Sequence, residues 1–421
     1  MDKLEQEAER AVLFGPVYFD SYIKNEAILD ELGRLVEAAG GNPVGRMIQS
    51  IRSPNPATFF GSGKVEELKK LIMENDAQLA VFDEELSPAQ GRNLEQCLEV
   101  RVIDRSELIL DIFAGRAQTY QAKLQVELAQ LKYKLPRLKR MWTHLDRIHS
   151  AIGARGPGET QIETDRRLIR VKIQEYNEKL KAMELNQQRT IEGRKEFKVS
   201  LVGYTNAGKS TLMRSLTDPD VYVADQLFAT LDTLTRKLKL PNAGQCLLSD
   251  TVGFVSKLPH HLVTSFHATL SEAKEADLLL HVTDASDPAM GYHIETVEKV
   301  LEDMGCDNIP TILIANKIDR EDSGVGLAML NQSHPDHIAL SAHSGQGLDE
   351  LLNTITRDMS SNWKNMPVHI PYSRGDIITN IKLHATIISE NAGDQGMNFE
   401  LKASEKLIHQ LHLNNYLVTN E

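Results

Sequence analysis

Gly203-Tyr204-Thr205-Asn206-Ala207-Gly208-Lys209-Ser210-Thr211 is the stretch that decides the fold of this chain. It follows the apolar run 197–202 and opens a helical pattern, so a strand, a glycine-rich turn and a helix meet there, the context a phosphate-binding loop requires. The glycines let successive backbone N–H groups face one anion, at the positive end of the following helix dipole. Lys209 is expected to reach the outer phosphates of a nucleotide, and Ser210 to ligate magnesium.

Downstream, short apolar runs at 246–249, 278–283, 311–315 and 338–340 alternate with helical patterns, which predicts a mostly parallel central sheet. Polar clusters sit at the ends of these runs. Asp250-Thr251-Val252-Gly253 follows the first, placing a carboxylate for magnesium and a glycine amide for a γ-phosphate. Asn316-Lys317-Ile318-Asp319 follows the third, at the carboxyl end of a strand where open α/β sheets bind ligands. The two oxygens of Asp319 match the N1–H and exocyclic amino donors of guanine, which selects GTP over ATP. Asn316 ties the base loop to the phosphate loop, and the Lys317 stem covers the ring. Ser341-Ala342-His343 follows the fourth run and can offer a backbone N–H to guanine O6.

Between the phosphate loop and Asp250 lies Phe228-Ala229-Thr230-Leu231-Asp232-Thr233. Thr230 is the favoured ligand for completing the magnesium shell, with Thr233 as runner-up. Lys209, Thr230 and Gly253 are the expected catalytic positions. Phe254 stands where Ras-like GTPases carry the glutamine that orients water, so slow intrinsic hydrolysis and a stimulating partner are expected.

Upstream, residues 10–117 alternate candidate strands (11–19, 43–51, 78–82, 101–103) with amphipathic stretches, a small α/β domain in which Ser87-Pro88 and Asp104 open helices. Phe60-Gly61-Ser62-Gly63-Lys64 is a shortened phosphate-loop look-alike, read first as a structural turn and second as a contact for another nucleotide or an RNA phosphate. From 120 to 188 the pattern is helical, with Leu124, Leu128, Leu131 and Leu135 in one stripe. Gly153-Ala-Arg155-Gly156-Pro-Gly158-Glu-Thr160 interrupts it, predicting a helical hairpin whose glycine-rich tip continues neither helix, the second starting at 160. A tail with strands at 378–388 and 398–402 and a helix at 404–413 ends the chain.

Net charge is −12 over 421 residues, yet residues 119–198 hold 18 Lys and Arg against 10 Asp and Glu, leaving −12 − 8 = −20 elsewhere. That segment carries Lys134, Arg137, Lys139, Arg140, Arg147 and Arg155, with Tyr133 and Trp142 among them. Together with Gly153, Gly156 and Gly158 they are the candidate RNA-binding residues. No run of about 18 apolar residues is present and the amino terminus lacks a secretory pattern, so a cytoplasmic protein, reduced at its three cysteines, is expected.

The segments 153–167, 202–211, 225–232 and Asp250-Thr-Val-Gly-Phe254 together resemble those of the bacterial HflX GTPases. One departure is Leu231-Asp-Thr-Leu-Thr235, where the family often reads Leu-Asp-Pro-Thr. The resemblance implies a GTP hydrolase, cycling between GTP and GDP with Mg2+, that is stimulated by the large (50S) ribosomal subunit. It also implies binding to that subunit and its rRNA through the amino-terminal region and hairpin, as a monomer, and the splitting or rescue of stalled ribosomes under stress. The expected architecture is α/β and multi-domain: an amino-terminal α/β domain (1–118), a basic helical hairpin and linker (119–196), a P-loop GTPase domain (197–365) and a small α+β tail domain (366–421). The rival readings are a GTP-regulated switch on a non-ribosomal protein partner and an ATP-dependent RNA-remodelling enzyme.

Overall fold

The computed structural model describes residues 8–18, 25–141, 157–191, 196–217, 234–241, 244–257, 272–360, 363–403 and 405–418. They group into two compact units. The first comprises the described residues up to 191 together with 255–257, and the second holds the remainder.

In the first unit, β1 (Arg10–Tyr18), β2 (Asn42–Ile51), β3 (Leu79–Phe82) and β4 (Arg101–Asp104) form a parallel sheet of order β2-β1-β3-β4. α1 (Asn25–Ala38), α2 (Ser62–Glu74), α3 (Pro88–Leu98) and α4 (Arg105–Arg116) complete the βα alternation. Phe14, Phe60, Phe82 and Leu94 are among the side chains of its core, and β3 is buried along its whole length, as expected of a strand covered on both faces. The start signals act as expected: the Ser87 hydroxyl accepts from Gln90 N–H in a capping box, and the Asp104 carboxylate accepts from Glu107 N–H at 2.9 Å. Gly61 stands at the N-cap of α2, and Lys64 pairs with Glu67 at 2.7 Å.

α5 (Tyr120–Met141) and α6 (Pro157–Ile191) pack on each other, Leu124 and Leu128 against Leu180. α6 begins three residues earlier than the glycines suggested, because Pro157 sits at its first position, where proline needs no N–H partner. The tip therefore contributes helix from 157 onward, and residues 153–156 lie outside the described residues.

In the second unit, β5 (Lys198–Gly203), β6 (Leu234–Leu240), β7 (Gly244–Asp250), β8 (Leu278–Asp284), β9 (Thr311–Asn316) and β10 (Ile338–Ala339) make a sheet of order β10-β9-β8-β5-β7-β6. All pairs are parallel except β6 with β7. β6 was not foreseen: its alternation is broken by charged residues, and it is an edge strand. α7 (Lys209–Thr217), α8 (Met290–Asp303), α9 (Ser323–Ser333) and α10 (Leu348–Ser360) belong to the same α/β layer structure. The tail is an antiparallel sheet of β11 (Lys364–Pro371), β12 (Thr386–Ala392) and β13 (Gly396–Ala403) with α11 (Gly375–His384) and α12 (Glu405–Gln410). The strand expected from 378 is mostly helix α11. Ile377 and Ile381 recur at helical spacing and are both fully buried, which overrides the strand preference of the β-branched run.

Candidate functional site

β5 hands over to α7 through the glycine-rich turn, and the parallel strands β5, β8 and β9 end side by side, so the loops after them converge. Gly208 has φ +97, and a Cβ on it would fall 2.2 Å from Asn316 Nδ2, so only glycine fits the closest approach of the phosphate loop to the base loop. Lys209 is 6% exposed, and its Nζ donates to the Gly203 and Tyr204 carbonyls at 2.9 Å each. Burial pulls its pKa down to about 8, against the opposing pull of Asp250. An ammonium held this way answers strongly to an incoming phosphate.

Ser210 Oγ donates to Asp250 Oδ2 at 2.6 Å. The pair sits at the first turn of α7 and the end of β7, a hydroxyl and a carboxylate oxygen side by side, and such hard donors suit magnesium. Neighbouring positions are structural: the Thr251 hydroxyl donates to the Leu201 carbonyl at 2.7 Å, and Thr211 lies in the first turn of α7. Val252 is buried in the turn, and Tyr204 stacks on His293 with ring centroids 3.8 Å apart.

The turn Asp250–Gly253 lies against the phosphate loop. Phe254 N–H donates to the Gly203 carbonyl at 3.1 Å and Thr205 N–H to the Phe254 carbonyl at 2.7 Å. A Cβ on Gly253 would stand 2.9 Å from Thr205 Cα and 3.0 Å from Lys209 Nζ.

Asn316 is 2% exposed and joins three loops: Nδ2 donates to the Ala207 carbonyl (2.8 Å) and Oδ1 accepts from Ala342 N–H (2.9 Å). Lys317 adopts a left-handed φ of 64° and donates from Nζ to the Asn206 carbonyl and to Asp284, both at 2.7 Å. Ile318 N–H reaches the Leu340 carbonyl at 3.4 Å, which sets the loop against the Ser341–Ala342 turn. Asp319 is exposed, and the Ser341 hydroxyl beside it holds its carboxyl below the usual range, with His343 adding a smaller pull. An ionised acceptor is what a guanine edge of two N–H donors needs.

Asp284, at the end of β8, is the site residue that motif reading missed. Burial pushes its carboxyl up, but hydrogen bonds from Lys317 and Ser286 outweigh that and hold it low. The signal was present in Asp284 following the apolar run 278–283, the same strand-end position as Asp250 and Asn316. His293, under Tyr204, and Ser256 and Lys257, beyond Phe254, had no such signal. Phe228, Ala229, Thr230, Leu231, Asp232 and Thr233 lie outside the described residues.

Of the RNA candidates, Lys134 is exposed on α5. Arg137 is not available: it is buried over the Tyr133 ring and donates to the Leu86 carbonyl (2.7 Å) and Asp104 (3.2 Å), because α5 packs on the amino-terminal domain at that turn. Lys139 and Arg140 belong to the helical backbone of α5 and Gly158 to that of α6, while Arg147, Gly153, Arg155 and Gly156 lie outside the described residues. Among the described residues no helix is long and apolar enough to cross a membrane, and no group of three His, Cys, Asp or Glu is placed to hold a metal.

Comparison with known proteins places these features in one family. Residues 26–114 match the model described as GTP-binding GTPase N-terminal, 116–194 that of the GTP-binding GTPase middle region, and 198–317 that of the 50S ribosome-binding GTPase. A GTPase HflX of Caldanaerobacter subterraneus subsp. tengcongensis is 41% identical over 422 residues, covering 100% of this chain and 96% of the relative. The GTPase HflX of Escherichia coli is 45% identical over 371 residues, covering 87% of each. That of Flavobacterium psychrophilum is 50% identical over 314 residues, covering 74% of this chain and 76% of the relative. With the loops 203–209, 250–253 and 316–319 brought together at the carboxyl ends of the parallel strands, and with these relatives over most of its length, the chain is a GTPase that binds GTP and GDP with Mg2+, and it belongs to the HflX family.

Proposed function

We propose that this GTPase works on the large ribosomal subunit in the cytoplasm, coupling its nucleotide state to binding and release and splitting or rescuing stalled ribosomes under stress. The observation that carries the reading is the match of the nucleotide domain to the 50S ribosome-binding GTPase model, joined to a hairpin segment whose balance is +8 in an otherwise acidic chain. Lys134 and the tip, residues 153–160, are the parts of the hairpin assigned to rRNA; Arg137 is a packing residue.

At the nucleotide, Lys209 and the N–H groups of the phosphate loop hold the phosphates, and Ser210 and Asp250, completed by Thr230, hold the metal, which when bound offsets charge on the phosphate oxygens. The Gly253 N–H senses the γ-phosphate. Asp319 reads the guanine edge, and Asn316, whose Oδ1 accepts from Ala342 N–H, keeps the two loops in register, so that N–H is engaged with Asn316 and not with guanine O6. Position 254 offers only a phenyl ring that is 4% exposed, so nothing there orients the attacking water. A partner that supplies or reorders that function is worth roughly 10³ to 10⁵ in rate.

The test is single-turnover GTP hydrolysis by the pure chain, with and without purified large ribosomal subunits, repeated with residues 153–160 replaced by a short serine linker. Stimulation that the replacement abolishes is expected. Equal rates in all four reactions would overturn the ribosomal reading and leave the GTPase itself standing.

A further inference from the structure

Lys317 lies in the guanine loop with a left-handed φ of 64°, uncommon for a residue with a side chain, and the far end of that side chain is tied. Its Nζ donates to the Asn206 carbonyl and to Asp284 Oδ2, at 2.7 Å each. One anchor belongs to the phosphate loop and the other to the end of β8, and all three residues lie in the second compact unit. The methylene stem of Lys317 is therefore stretched between a backbone and an ammonium that are both fixed.

Asp284 is held as firmly as the lysine it binds. β8 and β9 pair in parallel with Asp284 opposite Asn316, so the carboxylate and Lys317 come from adjacent strand ends. Asp284 Oδ1 is taken up within its own turn, accepting from Ser286 N–H at 2.9 Å and from Ser286 Oγ at 2.6 Å, which orients the carboxylate. Ala285 N–H donates to the Asn316 carbonyl at 2.9 Å and joins this turn to the guanine loop. Oδ2 is left to face Lys317, with Arg320 at 4.0 Å. Burial favours the neutral acid, but Lys317 and Ser286 outweigh it, so the tether is a pair of opposite charges.

We propose that Asp284 is a positioning residue for nucleotide binding: by holding the Lys317 ammonium it fixes the methylene stem against which the purine ring packs, and so sets affinity without selecting the base. The proposal rests on the reading that the Lys317 stem covers the guanine ring. A lysine free to rotate loses its rotamer freedom when it packs on a ligand. A tethered one has lost that freedom on folding, so the bound base does not bear the loss. The stem offers the same apolar contact to any purine, which leaves the choice of guanine to the carboxylate of Asp319. Releasing the tether therefore weakens all purine nucleotides by the same factor.

The experiment measures affinities of the full-length chain for fluorescent GDP and, by competition, for inosine diphosphate, which lacks the exocyclic amino group. The forms compared are the parent, Asp284→Asn, Lys317→Ala and the variant carrying both. Asp284→Asn is nearly isosteric and keeps the acceptor for Ser286, so it removes the tether and leaves the turn. It is expected to weaken both nucleotides on the order of tenfold and to hold their ratio at the parent value. Lys317→Ala is expected to weaken both at least as much, and adding Asp284→Asn to it to change nothing further, since a tether without a stem has nothing to hold. Losses that add in the double variant would make Asp284 a structural residue only, and a changed ratio would mean that it acts through Asp319; either result overturns the proposal. So does an unchanged affinity in Asp284→Asn where Lys317→Ala weakens binding. An unchanged affinity in Lys317→Ala would instead sink the reading of the stem, and the proposal with it.

Discussion

The imidazole of His281 lies on β8 beside the phosphate loop, paired in register with Val202 and only 2% exposed. Burial first, then the neighbouring Lys209 and His334, pull its pKa down to about 3 from an ordinary value near 6.5. The folded state therefore keeps this ring neutral at pH values where the unfolded chain protonates it. Its contribution is fully present above about pH 6.5 and is lost progressively as pH falls toward 3, at up to about 1.4 kcal/mol per pH unit. A His281→Leu variant is expected to lose thermal midpoint less steeply than the parent between pH 6.5 and 5, measured by calorimetry in the presence of GDP; parallel curves would refute this origin. No motif pointed to His281, since a lone histidine in an apolar run has no spacing to read. Asp250, Asn316 and Asp319 were legible because strand-end position and residue type agree there, and Asp284 was legible by the same rule although no familiar tetrapeptide contains it. Ser256 and Lys257 were not, because their partners Asp83 and Arg105 are more than 150 positions away along the chain.

At the scale of elements, α5 shows how a basic stretch divides its labour. Lys134 and Arg137 lie one helical turn apart, yet one points to solvent and the other is sealed against Tyr133, Leu86 and Asp104. Charge counting cannot separate them; packing of α5 on α4 does, through Glu107, to which the Tyr133 hydroxyl donates at 3.3 Å. Arg137→Ala leaves Asp104 buried without its cation, and removal of one partner of a buried pair costs about 3 to 5 kcal/mol. Lys134→Ala touches no such pair. The expected outcome is a marked fall in thermal midpoint for Arg137→Ala and none for Lys134→Ala, with weakened large-subunit binding in Lys134→Ala. An unchanged midpoint in Arg137→Ala would return that residue to the RNA face. The helices α3 and α4 were legible from their caps and proline, which act locally, whereas Pro157 was read as a breaker and is the first residue of α6. The edge strand β6 and helix α11 were not, because a charged edge and a β-branched helix each go against the local preference that the sequence displays.

For the whole molecule, the separation of charge is the property that reaches furthest. Residues 119–198 carry +8 and the rest −20, so an RNA surface would attract the first and repel the second, which is why the proposed contact with rRNA is placed on the hairpin. Repulsion from the acidic remainder orients the approach without adding contacts, and it weakens as salt screens both terms. Cations that reach phosphate also displace condensed counterions, which makes the logarithm of affinity fall linearly with the logarithm of salt concentration. The slope is about −0.7 to −0.9 per phosphate neutralised. Binding to large subunits, with a GTP analogue held saturating, is therefore expected to weaken by about 10³-fold or more between 50 and 200 mM salt if roughly six phosphates are contacted. Lys134→Ala should flatten the slope by about one such step while changing affinity little at high salt. A flat salt dependence would mean that the hairpin's charge is only a solvated face and that the subunit is held by contacts elsewhere on the chain.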